Sequence, residues 1–262
     1  MSNSLNATFA RARAENRAVL IGYVPAGFPT KKQALAAIET MIAGGVDIIE
    51  VGLPYSDPIM DGPVIQRAAE ISLSQGTSVL DVLETVSKVS APALIMSYWN
   101  PIERFGLANF TKGLAQSGGI GVITPDLTIE ESEEWLASLA ENHLSQVFVV
   151  APSSSDSRLK QVVSKCTGFV YAASLMGVTG TRSAMSKDAA NLVERVKRIT
   201  DTSVCVGLGV SNGAQAREIA KFADGVIVGS AFIKLILDSK DEAEANSRVK
   251  ELAQELAEAV RR

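Results

Sequence analysis

The sequence predicts an α/β fold, a (β/α)8 TIM barrel with an extra helix at its N-terminus. Short, continuous apolar runs alternate with amphipathic helical patterns, as in a parallel sheet covered by helices. The alternation repeats eight times along 262 residues with no linker or low-complexity break, which is the usual size of such a barrel. A doubly wound open sheet is the main alternative, but it usually needs fewer repeats. We therefore expect residues 1–262 to form one barrel domain.

The strand predictions rest on short apolar runs that end at Gly, Pro or polar residues. The predicted strands are 19–24, 48–51, 93–97, 121–124, 147–151, 169–174, 203–206 and 225–228. The helix predictions rest on apolar residues three and four positions apart and on stop signals such as Gly44-Gly45. The predicted helices are 2–14, 31–43, 64–74, 79–89, a helix through 107–114, 130–141, 156–164, 188–199, 212–221, 231–237 and 242–262.

Composition excludes several classes of function. The net charge is −4 and basic residues form no run, so neither nucleic acid nor an anionic membrane is an implied partner. The start of the chain does not resemble a signal peptide, and no apolar run reaches membrane-spanning length. Cys166 and Cys205 are isolated, as is typical of a reducing cytosol, so we expect a cytoplasmic protein.

The single histidine, His143, lies in a polar stretch at a predicted helix end and is expected to be a surface or capping residue. Clusters with metal-ligand spacing are absent from the sequence, so no metal site is predicted. If the chain performs acid–base chemistry near neutral pH, carboxyl groups or tyrosines must carry it.

The stretch 48–63 holds the best candidates for that chemistry. Glu50 interrupts an apolar run that reads as a buried strand, and a buried carboxylate is usually neutral, paired or directed into a cavity. A loop rich in proline follows and carries a second acid, Asp61. Glu50 and Asp61 are thus a candidate catalytic pair. The alternative is structural: Glu50 would be salt-bridged, and the Asp-Pro and Asp-Gly pairs would form ordinary turns.

Glycine-rich loops follow the last strands, where (β/α)8 barrels commonly bind phosphate. They are 207–209 after the seventh strand and Gly229-Ser230 after the eighth, with 177–180 as a third. Glycine lets the backbone approach a ligand closely, and the N–H groups at a helix start attract an anion. These loops favour a phosphate site; the alternative is that the glycines only close tight turns.

Aromatic and apolar residues at the strand ends could line a flat apolar pocket beside these loops. They are Tyr23, Met96, Tyr98, Phe148 and Tyr171, of which Phe148 is expected to be core. The residues therefore predict a phosphorylated substrate with an apolar portion, handled by carboxyl groups without metal or histidine.

The acidic stretch closely resembles the signature of the tryptophan synthase alpha subunit family. The resemblance lies in 50–58 and 61–63, and later landmarks follow in the same order at 125–126, 177–180, 207–209 and 229–230. It implies a (β/α)8 lyase that cleaves indole-3-glycerol phosphate to indole and glyceraldehyde 3-phosphate in tryptophan biosynthesis. It also implies no cofactor in this chain and a beta-subunit partner in an alpha2-beta2 complex, with pyridoxal phosphate in that partner.

The resemblance also implies a role for individual residues. Glu50 matches the general acid/base and Asp61 the second catalytic acid, while Tyr171 and Tyr23 match walls of the site. Thr179 matches a loop residue that meets the catalytic acid on closure. The positions that match phosphate contacts are Gly180, Gly209, Gly229 and Ser230. The positions that match the partner-facing loop are Pro54, Ser56 and Asp57.

Some positions differ from the family pattern. Ile59-Met60 replaces a smaller Leu-Ala, Leu175 lies where the family frequently has Arg, and Trp99 is bulkier than expected. The loop 177–186 could be a lid or a plain solvent loop. Two other functions stay open on the residues alone. One is a phosphate-binding barrel isomerase, and the other is a structural partner that mainly activates a second subunit.

Overall fold

The computed structural model describes residues 5–173, 182–207 and 209–262. These residues form nine strands, all of them parallel and all in one sheet. The strands are β1 (Val19–Pro25), β2 (Ile48–Gly52), β3 (Ala93–Met96), β4 (Gly121–Ile123), β5 (Ser145–Val147), β6 (Val149–Val150), β7 (Val170–Ala173), β8 (Val204–Gly207) and β9 (Gly225–Val228).

The strands form a nearly closed barrel. Neighbours along the chain pair with one another, and the last strand, β9, pairs back onto the first. Strands β5 and β6 are separated by Phe148 alone; β5 pairs with β4 and β6 with β7. They are therefore two halves of the predicted fifth strand, and the predicted barrel of eight is confirmed, with its ring interrupted at this point.

Helices surround the barrel in the described residues. They are α1 (Leu5–Ala14), α2 (Lys31–Ala43), α3 (Pro63–Ser74), α4 (Val79–Lys88), α5 (Trp99–Phe105), α6 (Leu107–Gln116), α7 (Glu133–Glu141), α8 (Asp156–Val163), α9 (Arg182–Lys197), α10 (Gly213–Ala220), α11 (Ser230–Leu237) and α12 (Glu242–Ala259). The predicted helix 31–43 agrees with α2 at both ends, and most other predicted helix boundaries differ from the observed ones by one to three residues. None of the described helices is long and apolar enough to cross a membrane.

Three helix predictions needed correction. Helix α5 forms where a loop was expected, because both carboxylate oxygens of Asp126 accept the Trp99 N–H, at 2.9 and 3.1 Å, and so cap its start. The predicted helix 130–141 is divided into a 3₁₀ turn, Ile129–Glu131, and α7. Helix α9 begins at Arg182, six residues before the predicted start at 188. The prediction was late because the first turns of this helix have no clear apolar periodicity in the sequence.

The N-terminal helix α1 closes the end of the barrel where the strands begin. Its residues Leu5 and Phe9 are buried with the apolar side chains of the barrel interior, and the ring of Phe9 meets Phe169 edge-on at 6.1 Å. Because this end is plugged by apolar contacts, the opposite end, where the strands terminate, is left to hold a site. The predicted extra helix is confirmed over residues 5–14.

Candidate active site

Glu50 lies near the end of β2, beside Tyr23 of β1 and Leu94 of β3. It is 1% exposed, and its Oε1 has no hydrogen-bond partner among the described residues. No described Lys or Arg pairs with it either, so the structural alternative of a salt-bridged Glu50 is not supported by these residues. Burial raises the pKa of Glu50 to about 8. The group is therefore largely protonated at neutral pH.

Asp61, in the loop between β2 and α3, is half-buried. Burial raises the pKa of Asp61 to about 6, and a hydrogen bond from the Tyr98 hydroxyl opposes that rise. The same hydroxyl accepts the backbone N–H of Met60 at 2.9 Å. Unlike Glu50, Asp61 is therefore mostly ionised at neutral pH. The two acids differ in protonation state, as separate acid and base roles require.

Tyr23 and Tyr171 stand at the same end of the barrel as the two acids. Burial raises the pKa of both hydroxyls, and the charges of Glu50 and Asp61 raise them further. A Cβ built at Gly52 would lie 2.4 Å from the Tyr23 hydroxyl, and one built at Gly207 would lie 2.3 Å from that of Tyr171. Glycine at these strand ends thus leaves room for both phenols beside the acids.

The loops after β8 and β9 lie at the same end of the barrel as the two acids. Gly209 has a φ of +65°, which glycine adopts without strain. Gly229 precedes Ser230, the first residue of α11, so the N–H groups at that helix start are directed toward the mouth of the barrel. A Cβ built at Gly229 would lie 3.2 Å from the Tyr23 ring, so the loop after β9 is next to the acids through Tyr23.

Other predicted positions lie around this site or outside the described residues. Thr179, Gly180 and Leu175 are outside them, as is the start of the predicted lid. Ser56 and Asp57 are exposed and hydrogen-bonded to each other at 2.5 Å. Pro54 is buried, two residues after the end of β2.

The remaining side-chain predictions can be judged directly. Phe148 is 2% exposed within the core and His143 is exposed at the end of α7, as predicted. The bulky Trp99 packs edge-on against Trp135 at 5.6 Å. Sequence reasoning placed Tyr98 only as a pocket wall and missed its hydrogen bond from Met60 and its effect on the pKa of Asp61. Its position just after β3, beside the loop that leaves β2, was the available signal.

The fold and this mouth define a class of protein. A parallel barrel that holds a neutral carboxyl group, an ionised one and an anion-attracting helix start at one end is the arrangement of an acid–base enzyme for a phosphorylated substrate. In the described residues no group of three or more His, Cys, Asp or Glu could hold a metal ion.

Comparison with known proteins identifies the family. Residues 9–261 match the family model of the tryptophan synthase alpha chain. The alpha chain of Streptomyces avermitilis is 54% identical over 261 residues, which is 98% of this chain and 94% of that protein. Mycobacterium tuberculosis tryptophan synthase is 48% identical with a TM-score of 0.92, covering 98% of both chains. The Legionella pneumophila alpha chain is 27% identical with a TM-score of 0.89, covering 99% of this chain and 97% of that one.

The chain belongs to the tryptophan synthase alpha chain family. It is a carbon–carbon lyase of tryptophan biosynthesis, and its reaction is the cleavage of indole-3-glycerol phosphate to indole and glyceraldehyde 3-phosphate. The resemblance found in the sequence is confirmed.

Proposed function

We propose that Glu50 is the general acid and base of this cleavage. It would protonate indole C3, which makes the ring electron-poor. The bond between C3 and the side-chain carbon would then break as that carbon's hydroxyl returns a proton to Glu50 and becomes the aldehyde. The observation that carries the proposal is the complete burial of Glu50 without a described partner, because this raises its pKa to about 8 and keeps it protonated.

Asp61 has the complementary role in this proposal. When C3 gains a proton, positive charge develops on the indole nitrogen. An ionised Asp61 would accept the indole N–H hydrogen bond and stabilise this charge, and the interaction is strongest in the transition state. The pKa of about 6, below that of Glu50, supports this division of roles.

The remaining site residues would hold the substrate in register. Tyr23 and Tyr171 would wall the indole, and their burial beside Glu50 supports this placement. Gly209, Gly229 and Ser230 would bind the phosphate, supported by the start of α11 at the barrel mouth. Gly180 and Thr179 carry the same proposals from the sequence resemblance, as a phosphate contact and as the residue that meets the acid on closure.

The loop 54–57 is proposed to face a beta subunit, in an alpha2-beta2 complex whose pyridoxal phosphate resides in that subunit. Supporting this proposal, Ser56 and Asp57 are exposed, and nearby Ile59 and Met60 are 83% and 53% exposed, respectively, which is unusual for large apolar side chains. We propose no cofactor for this chain, and residues 1–262 as a single domain. A cytoplasmic location is supported by the free thiols of Cys166 and Cys205.

The test of the proposal is release of free indole from indole-3-glycerol phosphate, measured with and without a beta subunit. Glu50→Gln should lower the rate of release by about 10²–10⁴-fold yet leave binding of glycerol 3-phosphate close to that of the parent. Asp61→Asn should lower kcat by about 100-fold, the usual scale for a lost transition-state contact. Parent turnover in Glu50→Gln would remove Glu50 from its role. An unchanged kcat in Asp61→Asn would rule out charge stabilisation by that residue.

A further inference from the structure

Tyr98 connects two parts of the barrel mouth that are distant in sequence. It follows β3 and precedes α5, and its hydroxyl reaches the loop after β2, where it accepts the Met60 N–H at 2.9 Å. Met60 is the residue directly before Asp61. The Tyr98 hydroxyl therefore fixes the backbone on which the second acid is carried.

The hydroxyl proton of Tyr98 is available for a second bond. A phenol has one proton to donate and can accept as well, and the Met60 contact uses it only as an acceptor. Tyr98 is 5% exposed, so its proton needs an acceptor within the protein. Asp61 directly follows the bonded Met60, so its carboxylate is the candidate acceptor, and the interaction with Tyr98 lowers the pKa of Asp61 against the effect of burial.

The other titratable groups around this pair cannot do the same. Tyr23 of β1 and Tyr171 of β7 interact electrostatically with Asp61 and with Glu50 of β2, and Asp126, after β4, acts on Tyr98. All of these are acids or phenols, whose ionised forms would repel a carboxylate. Among the described residues, Tyr98 is the group that favours the ionised form of Asp61.

We propose that Tyr98 is the positioning residue for Asp61. Its hydroxyl would hold the loop at Met60 and donate to the Asp61 carboxylate, which keeps that acid anionic and directed at the indole nitrogen. The inference rests on the proposed role of Asp61 in catalysis and adds the residue that makes this role possible.

The experiment is Tyr98→Phe, which keeps the ring and removes the hydroxyl. We expect kcat to fall about tenfold, the scale of one hydrogen bond to a charged group, with KM nearly unchanged because the phosphate loops lie elsewhere. The acid limb of kcat/KM should move to higher pH, while the alkaline limb stays in place. Substrate phosphate titrates equally in both proteins, so the difference between the profiles isolates the protein group.

Tyr55→Phe is the matched control. Its ring packs against Tyr98 with centroids 5.3 Å apart, but its hydroxyl makes no hydrogen bond within the described residues. We expect its kcat and both limbs to equal those of the parent. Parent-like behaviour of Tyr98→Phe, or a lower kcat with an unmoved acid limb, would overturn the proposal.

Combining Tyr98→Phe with Asp61→Asn tests whether Tyr98 acts through Asp61. The double variant should be no slower than Asp61→Asn alone, and a further tenfold loss would contradict the inference. The Asp61→Asn variant alone tests the proposed function separately. If it retains the turnover of the parent, Asp61 is not catalytic, whatever Tyr98→Phe shows.

Discussion

Strand β2 has a carboxyl group at each end, and the two have opposite surroundings. Asp47, directly before the strand, accepts two hydrogen bonds from Arg17 at 2.6 and 2.8 Å and the Leu20 N–H at 2.9 Å. Glu50, three residues on, is as deeply buried but has no described partner. Asp47 is thus a structural carboxylate at the closed end of the barrel. Glu50 is a neutral acid at the open end, so partners rather than burial decide the role of each.

The largest expected difference between the two is in activity. Glu50→Gln should lower kcat by about 10²–10⁴-fold, the range of general acid–base catalysis. Asp47→Asn removes one carboxylate from the same strand and should leave the kcat of the folded protein within about twofold, because Asp47 lies at the other end of the barrel. Steady-state indole release at matched folded concentrations measures both. Equal losses of kcat in the two variants would contradict the different roles assigned to Glu50 and Asp47.

Stability should respond in the reverse order. Asp47→Asn leaves the largely buried Arg17 side chain with only the exposed Glu15 as an anionic partner, so the free energy of unfolding should fall by about 2 kcal/mol. Glu50→Gln replaces a neutral acid by a neutral amide and should change it by less than about 1 kcal/mol near pH 5. Urea unfolding followed by circular dichroism gives both values. A stable Asp47→Asn protein would show that the Arg17 pair is not a structural tie.

The pH dependence of activity sharpens the assignment at the open end. Cleavage needs Asp61 ionised, above its pKa of about 6, and Glu50 protonated, below its pKa of about 8. The profile of kcat/KM should therefore be bell-shaped with a maximum near pH 7. Asp61→Asn should weaken the acid limb and retain the alkaline one. A profile still rising above pH 8 would mean that Glu50 does not act as the acid.

The pH dependence of stability tests the raised pKa of Glu50 independently of activity. The folded pKa of Glu50, about 8, lies above the value of 4.5 that is usual for a solvated glutamate. Folded Glu50 therefore keeps a proton that the unfolded chain releases, and the free energy of unfolding should decline as pH rises from about 4.5 to 8. Glu50→Gln lacks this decline, so its stability relative to the parent should grow with pH. A constant difference from pH 5 to 8 would contradict the raised pKa.

Sequence patterns were enough to predict the strand, the acid within it and the end of the barrel where it lies. The apolar run interrupted by Glu50 can be recognised from neighbouring residues alone. In a parallel barrel, the C-terminal ends of all strands then lie at the same end. Contacts between distant residues were not predictable in this way. Arg17 is 30 residues from Asp47, Asp126 is 27 from the helix start it caps, and Tyr98 is 38 from Met60.

The missed contacts share a physical cause. Asp126 was identified only as a landmark after the fourth strand, because nothing local shows that its carboxylate reaches the N-terminus of α5. Tyr98 looked like a pocket wall, because the loop that bends back to it is aperiodic. Side chains that act across the mouth depend on how the loops pack, and this packing leaves no periodic trace in the sequence.

The central claim is that Glu50 is a neutral proton donor at the pH of catalysis. Infrared difference spectra between the parent and Glu50→Gln, recorded from pH 5 to 10, report the C=O stretch of this protonated carboxyl group directly. We predict a band that persists at pH 7 and disappears with a midpoint near pH 8. A band lost below pH 5, as for an ordinary solvated glutamate, would contradict the account.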